Sequence, residues 1–295
     1  MKNTITVWLL LLAGLASGQD IRLAGIEYFN YLKAPVSDGN SKYQASFQEF
    51  SAFAAYPVQS KNKKTTILNG FQYALVDASV LDNTTTVTNT RNFYVLAYNF
   101  IVIHKLNDNW KLEAQLTPTL SSDFKSSLSS NDFLMLGSFL AIRRLNDYAN
   151  IGAGITYTTK LGKPLLLPVL QFNYHKDHHK LIILLPSLVD YEYGIDKKDK
   201  FNVGFRAGLN GAEFHVTGNN IDNAIDVNKL GYSRLNLGPV VSYRISKIIK
   251  IEAMGGISVA RKYQFLDVQG NKYTINSKNV GVFNIGIAFV PPLLK

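Results

Sequence analysis

The residues best suited to chemistry are five histidines, three of which lie close together in the stretch "HKDHHK". Imidazole nitrogens are common zinc ligands. His175, His178 and His179 nevertheless share a short polar turn with two lysines and an aspartate, a composition typical of a solvated turn. We therefore predict no metal site there, and His104 is likewise expected at the end of a strand, away from other ligands.

His215 is the remaining histidine, and it lies beside Glu213 and Thr217. A serine hydrolase needs a serine activated by histidine, with a third group that orients the imidazole. No serine in a sharp, glycine-flanked elbow accompanies His215. The sequence therefore predicts that His215 is an ordinary rim residue and that the chain has no catalytic residue. The acidic stretch with Asp222 and Asp226 lacks the glycine and terminal glutamate of a calcium loop, so we predict a solvated loop.

A third set of candidates consists of charged residues that recur at alternate positions within otherwise small and polar rows. Opposite charges around a narrow lumen either pair and fill it, or create a transverse field that selects solutes. Both possibilities stay open at the sequence level. The candidate lumen-lining residues are Lys111, Glu113, Asp190, Glu192, Arg206, Arg234, Arg244, Lys250 and Glu252.

The elements that would position these charges are β-strands with unlike faces. In "WKLEAQLTPTL", from Trp110 to Leu120, every second residue is apolar and every intervening residue is polar. A side-chain period of two indicates a strand. The polar rows are rich in Gly, Ser, Thr and Asn rather than Lys and Glu, which favours a confined, wet interior over bulk water. The apolar rows would then face lipid, and the strands must close into a ring because lipid cannot hydrogen-bond the backbone. A soluble β-sandwich is the alternative.

The chain predicts a single all-β domain, an antiparallel transmembrane up-and-down barrel of about fourteen strands. Tight polar turns alternate with longer loops through much of the chain, as periplasmic turns and extracellular loops do in outer-membrane barrels. If the pair divided at Pro186-Ser187 is one kinked strand and another early segment lies outside the wall, the count becomes twelve. A bulge is expected at Asn210-Gly211, where the apolar phase shifts toward Phe214. The predicted strands are 21–33, 42–57, 66–80, 91–105, 109–121, 132–145, 149–159, 165–174, 180–186, 188–196, 200–217, 231–246, 248–266 and 279–290.

The N-terminus predicts export. Residues 1–18 combine a basic head, an apolar run and small residues before Gln19, which is typical of a cleaved signal peptide; residues 19–295 would form the barrel. Cysteine is absent, so no disulfide stabilises the fold, and charged residues make up 18% against about 25% in typical soluble proteins. The formal charge is +10, but no compact basic patch is interleaved with aromatics, so nucleic acid is not an expected partner.

Several segments resemble an uncharacterised family of Gram-negative outer-membrane β-barrel proteins, a domain of unknown function. They are "NDNWKLEAQLTPTLSSDF", "GAGITYT" and "LLLPVLQFNYHKDHHKLIILLPSLVDYEYGIDKKDKFNVGFRAG", within about Asn92 to Phe265. The matching positions are Pro118 with Ser122-Asp123-Phe124, Pro168 with Tyr174, Pro186, and Tyr193 with Lys200. The resemblance implies fold and location, but no activity. The chain departs from the usual barrel ending, because "VPPLLK" follows Phe289.

These observations predict an outer-membrane barrel that is not an enzyme and requires no cofactor. Its expected role is passive passage of small or amphipathic solutes. Two alternatives remain: a closed structural or adhesion barrel whose outer loops bind surface partners, and a lipid-modifying enzyme. The expected partners are outer-membrane lipid and lipopolysaccharide, together with the barrel-assembly machinery.

Overall fold

The computed structural model describes residues 22–35, 43–82, 88–221 and 225–291. The predicted signal segment 1–18, Asp222 and residues 292–295 of the tail lie outside this part. The described chain is almost entirely β-structure, with one 3-10 turn at Ser130–Asp132. Its strands are β1 (Ala24–Pro35), β2 (Tyr43–Gln59), β3 (Thr65–Asp82), β4 (Thr88–Lys105), β5 (Trp110–Ser122), β6 (Phe133–Arg144), β7 (Ala149–Thr158), β8 (Leu165–Lys176), β9 (His179–Leu185), β10 (Leu188–Gly194), β11 (Phe201–Ile221), β12 (Ile225–Arg244), β13 (Ile249–Asp267), β14 (Lys272–Asn276) and β15 (Val280–Phe289).

The strands form a closed antiparallel barrel. Each of β1 to β13 pairs with its neighbours in chain order, β13 pairs with β15, and β15 returns to β1, where Phe289 lies opposite Ala24. Fourteen of the described strands build the wall. β14 pairs only with β13 and extends from it beyond the wall. Among the described residues, no helix is long and apolar enough to cross a membrane.

The predicted closed barrel and its fourteen wall strands are confirmed, including the division at Pro186-Ser187. Leu188 pairs with Leu184 across that two-residue turn, so β9 and β10 are separate strands of seven residues each. The alternative count of twelve is wrong. β14 was not predicted, because its five residues lie within a long polar loop and the alternation of Tyr273 with Ile275 is too short to indicate a strand.

The predicted bulge at Asn210-Gly211 is wrong. The register between β11 and β12 runs without a shift from Phe201 opposite Tyr243 to His215 opposite Lys229, and the irregularity comes only after His215. The apparent change of phase has another cause. Phe214 lies inside the barrel with the same parity as Asn202, so the interior itself changes from polar to apolar along this strand.

The two faces of the wall differ as the alternation predicts. On β5 the outward Leu116 is 49% exposed, whereas the inward Thr117 is 8% exposed. Outward rows elsewhere expose large apolar side chains, among them Ile155, Phe205 and Ile285. Apolar area left in water costs about 25 cal/mol per Å², so a continuous belt of this kind favours apolar surroundings.

The ends of the barrel are unlike. Six turns of two to six residues follow β2, β4, β6, β8, β10 and β12 at one end, which we call the short-turn end. The described termini lie there as well, since the backbone of Val290 bonds to Ile248 in the β12–β13 turn. The opposite, long-loop end carries the β5–β6, β7–β8 and β13–β15 connections. The two-residue turn between β9 and β10 also lies at this end, and the wall is low there because each of these strands has only seven residues.

Candidate functional site

A network of ion pairs fills one side of the interior near the short-turn end. Arg206 lies 2.7 Å from Asp190, and Lys250 lies 2.8 Å from Glu192 and 3.0 Å from Glu252. Charges taken out of water are stable when they are paired and hydrogen-bonded. We call this set the ionic cluster; it comprises Arg22, Asp190, Glu192, Arg206, Lys250 and Glu252, which makes three positive and three negative groups.

An apolar cluster fills the same side of the interior toward the long-loop end. We call it the aromatic plug; its large members are Tyr31, Phe47, Phe93, Phe214, Tyr232 and Tyr263. Phe93 stacks on Phe214 with ring centroids 5.0 Å apart, and Phe47 stacks on Tyr263 at 5.1 Å. Offset aromatic pairs of this kind add to the stabilisation from burial itself.

One charged residue lies within the plug. Arg234 is 1% exposed, and its guanidinium carbon is 3.6 Å from the ring centre of Tyr31 and 4.5 Å from that of Tyr232. Its ion-pair partner is Glu49. Glu49 also accepts hydrogen bonds from the Tyr232 hydroxyl at 2.8 Å and from the Asn210 amide at 2.7 Å. Cation–π contacts and this carboxylate together compensate the buried charge.

The other side of the interior holds a chamber of about 920 Å³. Its polar wall is made by inward residues of β4 and β5: Asn99, Lys111, Glu113, Gln115, Thr117, Thr119 and Ser121. Lys111 to Ser121 span ten residues, or about 33 Å along the strand at about 3.3 Å per residue. The chamber therefore follows nearly the whole height of the wall. Its second wall comes from β6 to β10 and combines polar residues such as Ser138, Gln171 and Asn173 with apolar ones. The apolar residues are Leu136, Leu140, Val169, Leu184 and Leu188.

A second cavity of about 930 Å³ lies on the outward face of the barrel. It is a groove lined by Ile26, Ala52, Ala54, Phe71 and Leu96, among others. Its walls are almost wholly apolar and belong to the same outward rows as the rest of the belt. We therefore place the candidate site in the inner chamber, where polar and charged groups converge.

The nine predicted lumen residues occupy four different places. Lys111, Glu113, Asp190 and Arg206 line the chamber. Glu192, Lys250 and Glu252 are buried in the ionic cluster, and Arg234 is buried in the plug. Arg244 is half-buried at the short-turn end, where its guanidinium lies 3.5 Å from the carbonyl oxygens of Lys247 and Val290. The nine residues therefore do not form one ring.

Part of β11 leaves the outer wall and crosses toward β5. We call residues 210–217 of β11 the arm. Ser121 donates to the carbonyl of Glu213 at 2.6 Å, and the amide of Asp123 donates to the carbonyl of His215 at 3.2 Å. His215 and Ser122 also form a short parallel bridge. This contact bypasses β6 to β10, so nine wall strands surround the plug at this end instead of fourteen.

The arm packs against the β7–β8 loop through glycines. A Cβ added to Gly211 would overlap the carbonyl oxygen of Lys160, and one added to Gly231, on the neighbouring strand β12, would overlap that of Gly162. Only glycine permits such a close backbone approach. The loop is therefore fixed over the chamber, and Lys160 joins its lining.

His215 lies on the arm and has a partner that the sequence did not predict. Its Nδ1 is 2.7 Å from Oδ1 of Asp132, and the two side chains are only 10% and 3% exposed. Ser129 caps the 3-10 turn and donates its backbone N–H to Asp132 at 2.6 Å. Burial raises the pKa of Asp132, but hydrogen bonds from Ser122, Ser129 and His215 outweigh it and hold the pKa at about 2.

This pair does not amount to a hydrolase triad. A nucleophilic serine must donate to the imidazole nitrogen that faces away from the carboxylate. In the described part of the chain no serine hydroxyl is hydrogen-bonded to the imidazole of His215, and the hydroxyls of Ser122 and Ser129 are directed to Asp132 instead. The His215–Asp132 hydrogen bond therefore links the arm to the β5–β6 loop.

The remaining histidines lie at the short-turn end. His104 contacts Thr65 at 2.9 Å, and His179 contacts the hydroxyl of Tyr191 at 2.8 Å. His178 contacts Asp199 at 2.6 Å, and this hydrogen bond raises the pKa of the imidazole. Within the described residues, no three His, Cys, Asp or Glu side chains are grouped so that they could hold a metal ion.

The barrel has counterparts of low similarity among solved structures. The COG4313 outer membrane channel from Pseudomonas putida F1 is 9% identical, over 94% of this chain and 98% of that chain, with a TM-score of 0.45. The toluene transporter TodX from Pseudomonas putida is 8% identical over 94% and 91%, with a TM-score of 0.39. Outer membrane phospholipase A from Escherichia coli is 12% identical over 91% of both chains, with a TM-score of 0.36. Since channels and an enzyme occur at similar distances, these likenesses assign no activity.

The comparison at the family level is more specific. No curated protein matches the chain. The sequence profile of one family, described as Domain of unknown function (DUF6268), matches residues 28–289, which is nearly the whole of the predicted mature chain. The resemblance noted from the segments between Asn92 and Phe265 is thereby confirmed, and the chain belongs to the DUF6268 family.

Proposed function

We propose that this protein is an outer-membrane β-barrel that lets small or amphipathic solutes pass through its interior without an energy source. One observation carries the proposal: the chamber of about 920 Å³ follows β5 from Lys111 to Ser121. With strands tilted by about 40°, those ten residues cover about 25 Å along the barrel axis, which matches the apolar band of such barrels. A structural core would not need a continuous wet space of that length.

The outward surface supports a membrane location. Its rows of exposed Leu, Ile and Phe would be unfavourable in water but are suited to lipid. Trp110 and Tyr243 are exposed near the short-turn end, where an interfacial aromatic girdle is expected. We assign the short-turn end to the periplasm, and outer-membrane lipid and lipopolysaccharide to the belt. Export by the segment 1–18 and insertion by the barrel-assembly machinery belong to the same proposal.

The direct test is conductance of the purified, refolded barrel in planar bilayers. We expect discrete steps whose ion selectivity changes when chamber charges are altered. A silent trace across voltages, from a preparation shown to be folded by its heat-dependent gel mobility, would rule out the channel.

A closed structural or adhesion barrel is the second candidate, and the long-loop end favours it. The aromatic plug fills part of that end, and the arm borders the chamber there with Ala212 and Phe214. In this case the long loops, rather than the interior, would bind a partner. The two functions separate in one experiment, because replacing the exposed Lys125 and Leu128 of the β5–β6 loop would weaken surface binding in a closed barrel but leave a channel's selectivity unchanged.

A further inference from the structure

We infer that the chamber is a binding site for a single-chain amphiphile with one anionic headgroup, held with the head at Lys160 and the tail along the leucines of β6, β9 and β10. The inference rests on the proposed passage through the interior and specifies the chemical class of the solute. Three observations carry it: an uncompensated cation, an apolar strip inside a polar lumen, and a suitable volume.

The chamber is lined by equal numbers of positive and negative residues, but not every charge has an opposite charge close to it. Four are positive (Arg22, Lys111, Lys160, Arg206) and four negative (Glu27, Glu49, Glu113, Asp190). Arg22 pairs with Glu27, Arg206 with Asp190, and Glu49 with the buried Arg234. Lys111 and Glu113 lie on the same face of β5, two residues apart, and attract one another. Among the described residues, this leaves Lys160 as the lining charge without an opposite charge nearby.

The position of Lys160 suits an anionic headgroup. Its backbone is fixed by the close approach to Gly211, while its side chain is exposed to the water of the chamber. The surrounding protein lowers the pKa of the amine by desolvation, and no described carboxylate offsets this effect. A carboxylate or phosphate oxygen would accept a charge-assisted hydrogen bond there.

The tail site is the set of leucines on β6, β9 and β10, in the chamber wall that faces the polar wall of β4 and β5. Inward positions of a water-filled barrel are usually polar, yet Leu134, Leu136, Leu140, Leu184 and Leu188 all line this chamber. Leu140 and Leu184 pack in one small cluster with Val169. Burial of an alkyl chain against such a strip is favourable in proportion to its area. At about 920 Å³ the chamber is within the range of about 300–1,000 Å³ that holds small-molecule ligands.

Equilibrium dialysis of radiolabelled laurate with the folded, full-length mature barrel in an uncharged maltoside detergent tests the site. We expect laurate to bind saturably at one site. Dodecanol, which lacks the carboxylate, and butyrate, which lacks the long tail, should each bind at least about tenfold more weakly. Lys160→Gln should lower the affinity for laurate by at least about tenfold and leave the affinity for dodecanol unchanged, since only the charge is removed. Lys163→Gln is the matched control, because this exposed lysine of the same loop does not line the chamber.

Leu184→Asn tests the tail site independently and should lower the affinities for laurate and dodecanol by similar factors. The inference is overturned if Lys160→Gln binds laurate as the parent does, if butyrate competes as well as laurate, or if binding does not saturate. Conductance is recorded on the same preparations. A barrel that conducts but binds no laurate refutes the amphiphile site alone, whereas a silent barrel refutes the proposed channel.

Discussion

The imidazole of His215 and the carboxylate of Asp132 lie 2.7 Å apart although 83 residues separate them in the chain. This contact joins the arm of β11 to the β5–β6 loop across the strands that lie between them in the wall. The arm borders the chamber, so the contact also fixes one end of the space through which we propose that solutes pass.

Acid should release the arm. The pKa of Asp132 is depressed from about 3.8 to about 2, so its contribution to stability is complete above the ordinary value and is lost as the pH falls through about 2. A shift of this size corresponds to about 2–3 kcal/mol at neutral pH. We expect the protection factors of the amides around Asp123, measured by hydrogen exchange, to fall between about pH 4 and pH 2. Asp132→Asn should show low protection at every pH, and a parent whose protection factors do not change with pH would contradict the assignment.

Chamber charges should set ion selectivity. Lys111→Gln removes a positive group from the lining and should shift permeability toward cations, while Glu113→Gln should shift it toward anions. The measurement is the reversal potential in a salt gradient across a planar bilayer. Lys247→Gln, in the exposed β12–β13 turn, is the control. Identical reversal potentials for all three variants would place the conducting path outside the chamber.

The aromatic plug depends on one carboxylate. Glu49→Gln leaves the buried Arg234 without its counter-charge and should cost about 3–5 kcal/mol of unfolding free energy. Glu27→Gln is the matched control, because its partner Arg22 is partly exposed and surface pairs contribute about 0–1 kcal/mol. Denaturant titration followed by tryptophan fluorescence compares the two. Equal losses would mean that the Tyr31 and Tyr232 rings compensate Arg234 on their own.

The close approach of the β7–β8 loop should not tolerate a methyl group. Gly231→Ala places a Cβ against the carbonyl of Gly162 and should destabilise the barrel by about 1–3 kcal/mol. It should also displace Lys160 and weaken the binding of laurate. Gly255→Ala meets nothing within 4 Å and should be neutral or slightly stabilising. The two variants differ only in position, so the comparison isolates the contact.

No phospholipid hydrolysis is expected from the folded barrel. His215 is hydrogen-bonded to Asp132, but the hydroxyls of Ser122 and Ser129 bond to that same carboxylate and not to the imidazole. Release of fatty acid from detergent-solubilised phospholipid is the assay. Activity that is lost in His215→Ala would contradict the proposal and support an enzyme.

The wall was predictable because the environment imposes a period of two on every strand. Trp110 to Leu120 alternate without exception, and the strands that they and their neighbours predict agree closely with the observed ones. Even the β9–β10 division was readable at Pro186-Ser187. These features depend on local patterns, which a sequence contains in full.

The interior was less predictable because its contacts join distant strands. Phe214 is apolar, like the residues that face outward on the other strands. Its inward position therefore looked like a change of phase, from which a bulge was predicted. Asp132 and His215 belong to different loops and strands, and no spacing rule connects them. Lys160 lies in a loop without periodicity, and only the folded position of that loop brings it to the chamber.

The short β9–β10 hairpin has a consequence for the surrounding bilayer. Each strand has seven residues, which at about 3.3 Å per residue and a tilt of about 40° gives about 18 Å of height. The hydrocarbon band around such barrels is about 25 Å tall, so the acyl chains beside this hairpin must compress or tilt by several ångströms. Hydrophobic mismatch would therefore be concentrated in one sector of the circumference, giving the protein a preferred side for short-chain or disordered lipid.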